Sequence, residues 1–250
     1  MPSLSTYTNG ATYAVNASAK ARRTLTASLG RLSTGIRTLN GNDPAGQSVA
    51  SNITTQARSA NVAARNAEDG ISFLHATEGV LLELATLNTR LRELGVQKTS
   101  DLLTVSDKAA IEAEENEIVN AAEQIAATKM NNRELLSTFL IAINNHGTLS
   151  QMGAVKKPVF QSGVSNADSS MADISLALGQ VAAGINALKG HQSNMYSFTA
   201  NARAAASRIM DTDYAKESAN LAQSSILNQS ALAMVAQANN AMANILTLLN

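Results

Sequence analysis

SANLAQSSILNQSALAMVAQANNAMANILTLLN (218–250) contains no Asp, Glu, Lys or Arg. Within it Leu221, Val235, Met242 and Leu249 recur at multiples of seven residues, and Leu232 and Leu246 take the complementary position of the same repeat. That spacing predicts a helix with a coiled-coil seam. An uncharged, Leu-seamed helix gains nothing by facing water. A bilayer span is the alternative, but Asn228, Gln229, Gln237, Asn239, Asn240 and Asn244 interrupt every window of about eighteen residues that a span requires. Burial among protein helices is the better reading, and no membrane span is expected.

The opposite end of the chain has the same character. Leu4, Tyr7, Ala11, Ala14, Ala21, Leu25, Leu32 and Leu39 follow steps of three and four or their multiples, and the small Ala side chains imply close backbone approach. Lys20, Arg22, Arg23, Arg31 and Arg37 precede the first carboxylate, Asp43, so the segment is basic. The aromatic groups on which nucleic-acid bases stack are missing, and no nucleic-acid partner is expected. Each end carries a seam that cannot be buried alone, so the two are expected to pair. At about 25 cal/mol per Å² of apolar area, against roughly 1–2 kcal/mol of backbone entropy per residue, one pair of small-residue helices stays marginal. Further copies of the chain must supply surface. The ends are expected to be disordered in the isolated chain and helical in an assembly.

Between the ends, GIRTLNGNDPAGQS (35–48) crowds Gly, Asn and Asp-Pro into a helix break. Asp43 is the expected N-cap and Pro44 the first residue of a second helix. That helix should run to about Gln97, with Ala57, Ala60, Ala64, Ala67, Ile71 and Leu74, then Leu81, Leu84, Leu87, Leu91 and Leu94, on one face. At roughly 1.5 Å per residue it would extend about 80 Å, too long to cover itself. Thr99, Ser100 and Asp101 mark a turn before a third helix, with Ile111, Ile118, Ala121, Ala122 and Ile125 inward, reaching about Met130. Glu112, Glu114, Glu115 and Glu117 read as its solvated face. LSTFLIAI, the turn-prone NNHG, and KKPVFQSGV read as a β-hairpin within 136–170, with Pro158 near an edge. A helical pattern resumes at Met171, with Leu176, Val181, Ile185 and Leu188 on one apolar face.

Composition agrees. Of 250 residues 45% are apolar but only 3% aromatic, with no Trp and 3 Pro, which favours helices over sandwiches or barrels. The expected fold class is therefore mainly α, with long antiparallel helices forming a coiled-coil terminal domain (1–43 and 209–250) and a helical rod domain (44–208) bearing one small β-hairpin. The formal net charge of +0 provides no global field for nucleic acid or an acidic bilayer. The absence of Cys removes disulfides and thiolate chemistry. MPSLSTYTNGATYAVNASAK (1–20) lacks a basic-then-apolar leader, so any export is expected to proceed without a cleaved signal peptide.

Catalytic groups are scarce. His75, His146 and His191 lie far apart, and HATEG is not the HExxH that sets two imidazoles on one zinc-facing surface. No two glycines stand two apart, which excludes the dinucleotide fingerprint. GRLSTGIR and GNDPAGQS lack the Lys and Ser/Thr of a phosphate loop. Asp211 and Asp213 read as a local cap or as ion-pair partners of Lys216, because DTDYAKE lacks the Gly and distal Glu of a calcium loop. Asn16, Asn52 and Asn228 head N-x-S/T triplets but fall on helix seams, where a glycan would clash; 161–170 is the better site for O-linked sugar. No enzyme activity, cofactor or metal is expected.

The run LGRLSTGIRTLNGNDPAGQSVASNITTQARSANVAARNAEDGISFLHATEGVLLELATLNTRLRELGVQ (29–97), with its NAEDGIS and LRELGVQ blocks, resembles the N-terminal region of bacterial flagellins. RIMDTDYAKESANLAQSSILNQSALAMVAQANNAMANILTLL (208–249), with DYAKE, ILNQS and AQAN, is similar to the flagellin C-terminal region. The resemblance implies a structural subunit that polymerises with itself into the extracellular flagellar filament for swimming motility, after export through the flagellar type III channel. It implies Leu4, Tyr7, Ala11, Ala14, Leu221, Leu232, Val235, Met242, Leu246 and Leu249 as the tube-wall packing set. Implied partners are an export chaperone and the cap and hook-junction proteins. Arg90, Leu94 and Glu114 match in type the residues that the vertebrate toll-like flagellin receptor reads, which implies an immune-receptor epitope; the alternative is an Arg90–Glu114 ion pair with Leu94 packed in the seam. MNNRELL stands where the family often has an FNG block. Only 136–170 occupies the place of the variable outer domains, which implies a thin, smooth filament. The rivals are a hook–filament junction protein of the same superfamily, and a secreted helical ligand for an immune receptor or chaperone.

Overall fold

The computed structural model describes the backbone of residues 4–38, 41–153 and 155–249, and the side chains of these apart from 4–8, 246, 248 and 249. Helix α1 covers Leu4–Thr34, α2 Pro44–Lys98, α3 Val105–Ala126, α4 Val164–Met210 and α5 Tyr214–Leu249. Helices α2, α3 and α5 each start where a side chain takes up free backbone N–H groups. Asp43 caps α2 as expected, its Oδ1 accepting from Gly46 N at 2.8 Å, with Pro44 in the first turn where no donor is needed. Asp213 does the same for α5, accepting from Ala215 N and Lys216 N at 3.0 and 3.1 Å. Thr104 and Asp107 form a reciprocal capping box at α3, and those hydrogen bonds hold the Asp107 carboxyl below its ordinary pKa.

The chain divides into two compact units, residues 1–53 with 204–250, and residues 54–203. In the first, α1 and α5 lie antiparallel. Past their facing ends the backbone is cross-tied by an antiparallel bridge between Ile36 and Asp211, in which Arg37 N donates to Met210 O at 2.6 Å and Thr212 N to Gly35 O at 2.9 Å. Gly35 has φ +71°, a conformation open to glycine without strain, and it ends α1 there.

In the second unit, Leu74, Leu81 and Leu84 of α2 pack with Ala122 and Ala126 of α3 and Ile174, Val181 and Leu188 of α4. Leu91 and Leu94 are buried further along α2. By composition α4 is long and apolar enough to cross a bilayer. Its residues Ile174, Val181 and Leu188 line this core instead. Two buried polar side chains on α2 tie neighbouring segments to it: Thr77 Oγ1 donates to Leu135 O at 3.1 Å and Asn88 Nδ2 to Ala167 O at 2.8 Å. On the rim, the Tyr196 hydroxyl and the Gln192 amide donate to Glu68 Oε1 at 2.7 and 2.8 Å, which lowers the Glu68 pKa and raises that of Tyr196.

Strands β3 (Phe139–Ala142) and β4 (Leu149–Met152) form the expected hairpin, with Phe139 opposite Met152. Its turn is NNHG: Asn144 Oδ1 accepts from His146 N and Thr148 N, and Gly147 has φ +73°. The second strand is LSQM rather than KKPVFQSGV. The latter is irregular up to the start of α4, anchored by buried Pro158 and Phe160 and by Val155 just before it. Helix α3 stops at Ala126 instead of Met130, because β1 (Lys129–Met130) and β2 (Arg133–Glu134) form a second, shorter hairpin there. Its turn residues Asn131 and Asn132 have φ +51° and +60°, the left-handed pair a two-residue hairpin needs and Asn tolerates. Helix α4 begins seven residues before Met171, and Leu176, expected inward, is 58% exposed, with Ala177 buried beside it.

Candidate functional site

With no concentration of catalytic groups in the sequence, the paired terminal helices are the place to look for function. On α1 the inward residues are Ala11, Ala14, Ser18, Ala21, Leu25, Ser28 and Leu32; on α5 they are Glu217, Leu221, Ser224, Asn228, Ala231, Val235, Ala238 and Met242. Both series step by three and four, so each helix presents a heptad seam. Ala11 and Ala14 therefore stand where the sequence placed them, as do Leu221, Val235 and Met242, each partly buried apart from fully buried Ala14. Leu232 is corrected. It is 51% exposed, and Ala231, at 7%, takes the seam position, one residue earlier in the alternation of three and four that runs from Asn228 to Val235. Leu4 and Tyr7 begin α1, and Leu246 and Leu249 end α5, but their side chains lie outside the described residues.

Two polar pairs interrupt the seam. Ser18 Oγ donates to Asn228 Oδ1 at 2.9 Å, and Arg31 Nη1 donates to Glu217 Oε1 at 3.2 Å. Glu217 is nearly buried, and Asn220 Nδ2 donates to its other oxygen at 3.4 Å. The Ser28 hydroxyl above all, with Asn220 and Arg31, outweighs the effect of burial and holds the Glu217 carboxyl below the usual range. These polar seam residues escape a search for apolar repeats alone. The signal was the heptad register itself, into which Ser18, Ser28, Glu217 and Asn228 all fall. Asp211 accepts from the Ser207 hydroxyl, and Asp213 is the local cap of α5, accepting from the backbone N–H of Ala215 and Lys216. A polar cavity of about 460 Å³ near these caps is lined by Arg31, Arg37, Asp43, Arg208 and Lys216 among others.

On the second unit, Arg90 and Glu114 form an exposed ion pair, with Nη2 and Nε donating to the same Oε1 at 2.7 and 3.1 Å. The pairing raises the pKa of Arg90. Leu94 does not join them on a surface: it is 1% exposed, in the core face of α2. The arrangement is the one the alternative reading describes, an Arg90–Glu114 ion pair with Leu94 packed inward. Glu115 is also corrected. Expected on a solvated face, it is fully buried, with Lys98 Nζ at 3.1 Å, and that hydrogen bond raises the pKa of Lys98. His75 is exposed on α2, its Nδ1 3.2 Å from Glu78 Oε2. Among the described residues no group of three or more His, Asp or Glu side chains is arranged to hold a metal ion.

Residues 6–139 match the bacterial flagellin N-terminal helical region, and residues 164–249 the bacterial flagellin C-terminal helical region. The chain is 30% identical over 243 residues to a flagellin of Halalkalibacterium halodurans, covering 88% of this chain and 89% of that one. It is 30% identical over 253 residues to the flagellar filament core protein flaB2 of Brachyspira hyodysenteriae, covering 86% and 88%. With the phase 2 flagellin of Salmonella abortus-equi it shares 35% identity over 120 residues, which is 47% of this chain but 24% of that protein.

Proposed function

This chain belongs to the bacterial flagellin family, and we propose that it is the repeating subunit of a flagellar filament, a structural protein whose work is mechanical. The observation that carries this reading is the composition of the α1–α5 pair. Its inward face is small and partly polar, whereas Tyr13, Val15, Leu29, Ile226, Leu227 and Met234 are each at least 52% exposed. Apolar surface of that kind is covered when identical pairs stack side by side. Stacking that propagates rather than closes needs a heterologous contact, in which different faces of the subunit mate and a helical polymer results.

The tube wall is then lined by Ala11, Ala14, Leu221, Val235 and Met242 within each pair, with Leu4, Tyr7, Leu246 and Leu249 toward its end, and by Leu232 between pairs. The filament lies outside the cell, and the subunit reaches it through the flagellar export channel without a cleaved leader, attended by an export chaperone and finished by cap and hook-junction proteins. The short insertion between the two helical regions makes the filament surface smooth. Arg90 and Glu114 are the receptor-facing charges of the isolated subunit.

Seeded polymerisation tests the reading. Purified chain, dissociated by heat, cooled and mixed with sheared seeds, is expected to give long filaments by electron microscopy. Chain that stays monomeric under seeding overturns the reading and favours a junction protein.

A further inference from the structure

Helix α5 carries large apolar residues on more than its inward face. At about 100° per residue, Ile226 lies opposite the seam, Leu227 and Met234 on one flank and Leu232 on the other. All four are more than half exposed. The residues that face α1 mix Glu217, Ser224, Asn228 and Ala231 with Leu221, Val235 and Met242. Hydrophobic burial alone therefore does not single out one side of α5 for contact with α1. A one-heptad slide of α5 would again set small and apolar side chains against one another, since the α1 seam runs Ala11, Ala14, Ser18, Ala21, Leu25, Ser28 and Leu32. Something other than apolar area selects the observed arrangement.

We propose that the Ser18–Asn228 hydrogen bond and the Arg31–Glu217 ion pair set the register and rotation of α5 on α1, and so decide which apolar residues are left outside. The two pairs are separated by 13 residues on α1 and 11 on α5, one at the end of the seam and one near its middle. A one-heptad slip breaks both together, placing Val235 or Leu221 near Ser18 and leaving Glu217 without its guanidinium. A rotation that brings Ile226 inward leaves Asn228 facing away from Ser18. Polar groups held between packed helices penalise every arrangement in which they lose their partners, which is how one buried Asn specifies register in a coiled coil. The inference deepens the assembly reading and rests on it only for the purpose of the exposed residues; the positioning itself belongs to the single chain.

The chain has no native Cys, so disulfide trapping in the full-length protein reports the arrangement directly. Three reporters share Ala21→Cys, combined with Ser224→Cys for the observed register, Ala231→Cys for a one-heptad slip, or Ile226→Cys for a rotation. Ala21 and Ser224 line one groove between α1 and α5, so the first disulfide is expected to exceed the other two at least tenfold. Adding Ser18→Ala, Asn228→Leu, Arg31→Leu and Glu217→Leu is expected to bring the three yields within threefold of one another. The exchange Ser18→Asn with Asn228→Ser, which keeps a donor and an acceptor across the seam, is expected to restore the preference and guards against misfolding of the first variant. The proposal is overturned if the observed-register disulfide keeps its tenfold lead without the polar pairs, if the exchange fails to restore it, or if it never forms in the parent. Sedimentation of the Cys-free parent is scored separately: absence of filaments there defeats the assembly reading and leaves the disulfide ratios to decide this one.

Discussion

The two units of this chain are both helical, yet they are held together by different side chains. Every buried apolar residue described in the unit of the chain ends is an alanine: Ala14, Ala21, Ala50, Ala206 and Ala231. The unit of residues 54–203 fully buries Leu74, Leu81, Leu84, Leu91, Leu94, Ile174 and Leu188. Burying a Leu or Ile is worth about 1.5–3 kcal/mol, against roughly 0.8 for one methylene equivalent. The central unit therefore has the means to fold by itself, while the end unit keeps its large apolar groups on the outside. A protein that must be soluble as a subunit and solid as a polymer can divide its residues in this way: permanent core in the middle, conditional core at the ends.

The sharpest way to break the contrast is to charge the conditional core. Val235→Asp places a carboxylate in the seam with no partner, and filament yield by sedimentation is expected to fall at least 100-fold while the main thermal transition of the central unit stays in place. If both are lost together, the two units are not independent. The converse substitution, Leu81→Ala, leaves a cavity in the permanent core and is expected to cost about 2–5 kcal/mol in that same transition, followed by calorimetry. Ala231→Ser should leave the transition unmoved.

Acid sharpens the distinction. The folded pKa of Glu217 is lowered, so its contribution to α1–α5 pairing is fully present above the ordinary glutamate value of about 4.3 and is lost as pH falls through the lower folded value. Filaments of Glu217→Gln should have lost this component already and show a flatter turbidity profile between about pH 5 and 2. The smallest effect is expected from Arg90→Ala. Its ion pair with Glu114 is exposed on both sides, so melting and assembly should be unchanged within scatter; a receptor-binding assay is where a difference is expected.

Much of this architecture was legible because helix ends and seams obey local rules. Asp43–Pro44 announced the start of α2, and the apolar spacing from Ala57 to Leu94 placed its buried face. Errors arose where spacing or company misled. Leu232 shares a heptad position with Leu246, yet the buried residue is its neighbour Ala231. Glu115 looked like one of four solvated glutamates, since its partner Lys98 sits 17 residues away in sequence and on another helix. KKPVFQSGV looked like a strand from its Val and Phe. Its Pro158 has no N–H to donate and Gly163 has φ +107°, so that segment is anchored by side chains rather than by a ladder. The polar seam residues were passed over because an apolar pattern was sought where the register was marked by its exceptions.

The short cross-tie beside Gly35 has a bearing on strength. Two backbone hydrogen bonds and the Arg37 guanidinium, which donates twice to Ile209 O, join the outgoing and returning strands of the chain just where both helices stop. When a rotating shaft pulls on the polymer, tension arriving along α1 is handed across to the strand entering α5 instead of straining one thin connector. Load on either strand is thereby shared at this joint among two backbone hydrogen bonds and the paired donors of one guanidinium.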